Sequence, residues 1–133
     1  MRVVFDTNIF ISAFIFPNSQ AEKALIKIIN DSDFSDLLII SKEIIDEILS
    51  VLASKFSREK EELSRLAVYI SEIAHIVYPQ IKINVLSDEP DNRIIECAIS
   101  GNAEFVVTGD KKMLALKEYG RIKIISLKNY LDL

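Results

Sequence analysis

The sequence predicts an α/β protein with a mostly parallel central sheet, and three observations carry that reading. Short apolar runs rich in β-branched residues, such as Val3-Val4-Phe5 and Phe105-Val106-Val107, have the unbroken hydrophobicity of strands covered on both faces. Between such runs lie stretches with apolar residues at helical spacing, and strands alternating with helices make parallel βαβ units. Acidic residues stand where these runs end: Asp6 directly after the first, Asp110 just past Thr108-Gly109 after the other. In an open α/β sheet, ligands bind just beyond the carboxyl ends of the strands.

The elements follow in order. Residues 3–5 read as the first strand. Residues 6–8 start a helix through 9–15, broken near Pro17-Asn18. Ser19 or Asn18 caps a second helix over 21–29. Its apolar positions Ala21, Ala24, Leu25, Ile28 and Ile29 fall at i, i+3, i+4, i+7 and i+8. Residues 37–40 are a second strand. Ser41 caps a helix to about 54, marked by Ile44, Ile45, Ile48, Leu49 and Leu52. A fourth helix spans about 58–75, with Ser57 as its cap. An extended piece lies at 76–78 or 81–83. The helix over 91–100 ends at Gly101-Asn102. Residues 104–107 are a strand, 110–116 a helix, 122–125 the last strand and 127–133 a short closing helix. Ser87-Asp88-Glu89-Pro90 is the best candidate for a mobile loop flanking a site.

Size and composition narrow the function. A chain of 133 residues, half of them apolar, fits one domain spanning 1–133. There are 20 acids against 16 bases, a net charge of −4. A strongly basic surface of the kind many nucleic-acid binders carry is therefore absent. The lone cysteine, Cys97, excludes an intramolecular disulfide and a cysteine-based zinc site, and reads as a small buried thiol. No run is long enough to span a membrane, and Asp6 comes too early for a signal peptide, so a cytoplasmic protein without membrane association is expected. Gly occurs only at 101, 109 and 120, which excludes P-loop and dinucleotide motifs. The apolar fraction leaves room for a dimer face.

Four acids are the candidate site: Asp6, Glu47, Asp91 and Asp110. Two carboxylates at strand ends, with two more from flanking helices, would repel unless cations compensate, and a hard divalent cation is the natural partner. Each has a plainer alternative. Asp6, Asp91 and Asp110 stand where helices begin and could simply cap them. Asp91 heads an apolar face, with Ile94, Ile95 and Ala98 at i+3, i+4 and i+7; Asp88, Glu89 and Glu96 lack that register and read as solvated. Glu47 borders the buried face through Ile44 and Val51 but lies off its centre, and solvent exposure is the simpler reading. Thr108 places a hydroxyl beside Asp110, suited to a metal-bound water. His75 reads as structural. Lys111, Lys112, Lys117, Arg121 and Lys123 read as a solvated face that could also contact phosphates.

Asp6-Thr7-Asn8, Glu47 in a mid-chain helix, Asp91-Asn92 opening a later helix and Thr108-Gly109-Asp110 after a strand together resemble the PIN domain. The order and spacing fit the whole chain. The segments around Ser41…Glu47-Ile48…Leu52 and Thr108-Gly109-Asp110-Lys111…Leu114 are most similar to the VapC-like toxins of prokaryotic toxin–antitoxin systems. The resemblance implies a three-layer α/β/α fold and a Mg²⁺ or Mn²⁺ site at Asp6, Glu47, Asp91 and Asp110, with Asn8 and Thr108 in support. It implies a nuclease acting on single-stranded RNA, often a homodimer restrained by a small antitoxin protein. It decides Glu47, which periodicity leaves open. Housekeeping RNA processing by the same fold is the alternative.

Two other classes fit less well. An aspartyl-phosphate enzyme needs a second Asp two residues after its nucleophile, and that position is Asn8, which cannot transfer the proton. A non-catalytic binding module would have no use for the complete acid set.

Overall fold

The computed structural model describes residues 1–31 and 35–133. Val3, Val4 and Phe5 are fully buried because their strand, β1 (Arg2–Phe5), runs through the middle of a six-stranded sheet. The other strands are β2 (Leu37–Ser41), β3 (His75–Val77), β4 (Phe105–Val107), β5 (Glu118–Tyr119) and β6 (Ile122–Ile125). Their order is β3-β2-β1-β4-β6-β5, with every pair parallel except β5 with β6. The mixed α/β, mostly parallel architecture is the one the sequence predicts.

Among the described residues, seven helices connect and flank the strands: α1 (Thr7–Ile15), α2 (Gln20–Ile29), α3 (Lys42–Lys55), α4 (Lys60–Ile73), α5 (Glu89–Ser100), α6 (Lys111–Leu116) and α7 (Leu127–Leu131). Among the described residues, no helix is long and apolar enough to cross a membrane. The predicted stripe of α2 buries Ala21, Ala24, Leu25 and Ile28. Ser19 caps that helix by accepting from the Glu22 amide, and Ser41 caps α3 by accepting from Ile44. Cys97 is fully buried, as expected of a small apolar side chain.

Topology places the site. After β1 the chain builds outward through β2 and β3, then returns to add β4 on the other side of β1. This reversal opens a crevice between the carboxyl ends of β1 and β4. Phe5 pairs with Val107, so the two strands end level. The Asp6 amide extends the ladder by donating to the Val107 carbonyl at 2.9 Å.

Some boundaries depart from the sequence reading. Ser57 does not cap α4. It adopts φ 52° and turns the chain at the end of α3, where the Arg58 amide donates to the Leu52 carbonyl. α4 therefore starts two residues later, with Glu59 at its N-cap. Gly101 is required for closeness, not for left-handed geometry: a Cβ there would stand 2.4 Å from Ile39 Cγ2, while Asn102 takes the positive φ. Glu89 and Pro90 belong to α5, which leaves only the first half of the expected loop outside a helix. Of the two extended pieces considered near 76–83, the strand is the first, shifted to begin at His75.

Candidate metal centre

Asp6 lies at the N-terminus of α1 but makes no side-chain capping bond. Its carboxylate is buried, 5% exposed, and accepts a 2.7 Å hydrogen bond from the Thr108 hydroxyl at Oδ2. The Thr108 oxygen in turn accepts the Asp110 amide at 3.0 Å. One fully buried threonine thus ties the ends of β1 and β4 together. The hydroxyl proposed for a metal-bound water is directed at Asp6. Burial pushes the Asp6 carboxyl above its ordinary range. The Thr108 bond and the backbone amides of Asn8 and Thr7 oppose the shift, and the Asp110 charge adds to it.

Asp110 does cap: its Oδ1 accepts the Lys112 amide at 3.0 Å, which fixes the carboxylate at the start of α6. A carboxylate has several acceptor positions, so capping and a second role are compatible. Oxygens of Asp88, Asp91 and Asp110 all lie within 4.8 Å of one another. Asp91 is pushed up to about 7, first by burial, then by its hydrogen bond to Asp110 and the charges of Asp110, Asp6 and Asp88. Two carboxylates that close hold a proton between them in the absence of a cation. Three hard oxygen donors converging with such repulsion fit a divalent cation.

Glu47 stands apart from that trio. It is half-buried on α3, not solvated, and its Oε2 accepts from the Thr7 hydroxyl at 3.2 Å. Burial first, and then the Asp6 charge, raise its carboxyl. Asn8 is exposed beside the crevice, making no side-chain hydrogen bond among the described residues. His75 lies exposed at the amino end of β3, away from the carboxyl-end crevice.

Sequence reasoning missed three residues. Asp88 is exposed as expected but joins the trio. Asn92 is fully buried: its Oδ1 accepts the Val85 and Leu86 amides, and its Nδ2 donates to the Leu86 and Asp88 carbonyls. Glu96, expected to be solvated, is buried at 3% exposure. It accepts the Ile83 amide at 2.7 Å and pairs with Arg93 at 2.8 Å. The segment before α5 is therefore tied along the helix it precedes, at Ile83, Val85 and Leu86 and at the Asp88 carbonyl. The spacing of Arg93 and Glu96 at i, i+3 was the one available signal, since such pairs share a helix face.

With this geometry, known proteins give a consistent answer. The sequence profile of the PIN domain matches residues 2–112. The uncharacterized protein MJ1680 of Methanocaldococcus jannaschii is 35% identical over 136 aligned positions, covering 96% of this chain and 84% of that protein. The chain belongs to the PIN-domain family. Two solved structures share its fold at 18% identity. One is VapBC2 from Rickettsia felis bound to a DNA fragment from their promoter, with TM-score 0.64 and coverage of 95% and 98% of the two chains. The other is VapBC-1 from nontypeable Haemophilus influenzae, with TM-score 0.67 and coverage of 96% and 99%.

Proposed function

We propose that residues 1–133 act as one nuclease unit, a metal-dependent endoribonuclease hydrolysing phosphodiester bonds of single-stranded RNA. The observation that carries this is the convergence of Asp88, Asp91 and Asp110, next to Asp6, at the crevice between β1 and β4. Membership of the PIN family supports it. In this reading the protein is cytoplasmic and is the toxin of a toxin–antitoxin pair, because its fold is shared with chains of VapBC complexes.

Mg²⁺ or Mn²⁺ would supply Lewis-acid activation and neutralise charge building on the phosphate. Asp88, Asp91 and Asp110 would hold it, with Asp6 and Glu47 completing the negative pocket. Thr108 orients Asp6, and Thr7 orients Glu47. A cation bound there would relieve the repulsion that raises the Asp91 carboxyl. Water would attack phosphorus as the P–O3′ bond breaks; with His75 at the other end of the sheet, solvent water protonates the leaving 3′ oxygen, and the products carry a 5′ phosphate and a 3′ hydroxyl.

The test is cleavage of labelled single-stranded RNA by purified protein. Mg²⁺ or Mn²⁺ supports it, EDTA stops it, and Ca²⁺ supports it poorly because its coordination is looser. Asp110→Asn lowers the rate by at least about a hundredfold, in line with several kcal/mol of lost charge stabilisation. Hydrolysis that continues unchanged in chelator, or an Asp110→Asn rate within a few-fold of wild type, rejects the reading.

A further inference from the structure

We propose that a cleft beside the acids is a nucleobase subsite, which seats one unstacked base of the RNA next to the scissile phosphate; this rests on the ribonuclease reading above. The cleft measures about 250 Å³ and lies between the first turns of α1, the start of α2, the turn before α6 and the start of α7. Asn8, two residues after Asp6, forms one wall, and Gly109, immediately before Asp110, forms another. A base held there belongs to a nucleotide whose phosphate reaches the carboxylates. The volume falls just below that of pockets for drug-sized ligands, the size suited to a single ring system.

The lining chemistry selects a base over a phosphate. Among the described residues that line the cleft, none is charged. A phosphate or a free carboxylate would find no cation there. The amides of Asn8 and Gln20 each carry donors and an acceptor, the groups that read a base edge. Neither amide makes a side-chain hydrogen bond among the described residues, and neither does the Ser12 hydroxyl, so all three are available. Ser19 is already spent, since its hydroxyl caps α2. Ile9 and Leu127 provide apolar surface for the ring face. Sequence-specific RNA recognition works on single-stranded bases in this way, by edge hydrogen bonds and face contacts.

Gly109 gives a direct test. A Cβ there would meet nothing within 4 Å, and its φ lies outside the left-handed region, so a side chain can be added without backbone strain. Binding of short homopolymers of A, C, G and U is measured by fluorescence anisotropy with Ca²⁺ present. The wild type is expected to prefer one base by about tenfold, the yield of one well-paired base edge. Gly109→Leu, which fills the cleft, should flatten the preference while Mn²⁺ affinity and Tm stay unchanged. Gln20→Ala, at an exposed position, should reduce it and decides the matter if Gly109→Leu fails to fold. Equal binding of all four homopolymers by the wild type, or a preference that survives both variants, overturns the subsite. Its failure is distinct from failure of the nuclease reading, which shows instead as absent metal-dependent cleavage.

Discussion

Asp91 concentrates the electrostatics of the molecule in one side chain. Its carboxyl stands at about 7 where an exposed Asp sits near 3.8, chiefly through burial and then through Asp110. Between those two values the folded state holds a proton that the unfolded chain has released. Stability must therefore fall as pH rises through that window. Asp6 and Glu47 are raised as well, with burial the largest cause, and act in the same direction. Thermal unfolding in EDTA should give a higher Tm at pH 5 than at pH 8, and Mn²⁺ at pH 8 should recover the difference. A Tm that climbs steadily from pH 5 to 8 in EDTA contradicts this. Asp6→Asn removes one charge from the pocket while Asn can still accept from Thr108. It should keep or raise the Tm while abolishing cleavage, as unfolding scans alongside the RNA assay would show.

At the scale of elements, the start of α5 is a clamp. Asn92 binds the backbone at Val85, Leu86 and Asp88, while Glu96 binds Ile83 and Arg93 reaches the Ile83 carbonyl. The incoming segment is laid along the helix, and Asp88 arrives beside Asp91. Asn92→Ala removes the acceptor of the Val85 and Leu86 amides and the donor to the Leu86 and Asp88 carbonyls, which costs about 1 kcal/mol. It should also weaken Mn²⁺ binding roughly 10- to 100-fold, as loss of a group that orients ligands does. Calorimetric titration checks the second effect. A lower Tm with undiminished Mn²⁺ affinity would reduce Asn92 to a purely structural role.

For the whole molecule, α4 is the surface to explain. Ile70 is its one buried residue, while Val68 is 58% and Tyr69 42% exposed. Tyr69 meets Phe14 of α1 edge-on, so apolar surface continues across two helices. Self-association through such a face is the expected state. Sedimentation at roughly tens of micromolar should show about twice the 15.1 kDa chain mass. A monomer at that concentration rejects the dimer and leaves the nuclease reading intact. The toxin role has its own readout. Induced wild-type protein should slow growth where Asp110→Asn does not, and equal growth of both would favour RNA processing.

The sequence by itself determined the α/β class, the helix stripes, the Ser41 cap, and acids at the ends of β1 and β4, and it narrowed the α2 cap to Ser19 or Asn18. These depend on local periodicity and capping chemistry, which a linear chain carries in full. Only the tertiary structure decided which acids meet. Asp6 and Asp110 are brought level by the pairing of Phe5 with Val107 and joined through Thr108. Asp88 enters the trio because Asn92 and Glu96 hold the returning segment, and Glu47 stays beside it because α3 delivers it to Thr7 instead. The two-residue strand β5 was likewise invisible, and the i, i+3 spacing of Arg93 and Glu96 hinted at their pairing but not at the burial of Glu96. Periodicity reports the faces of one element, whereas a pocket is made by strand register and by side chains that pair across elements distant in sequence.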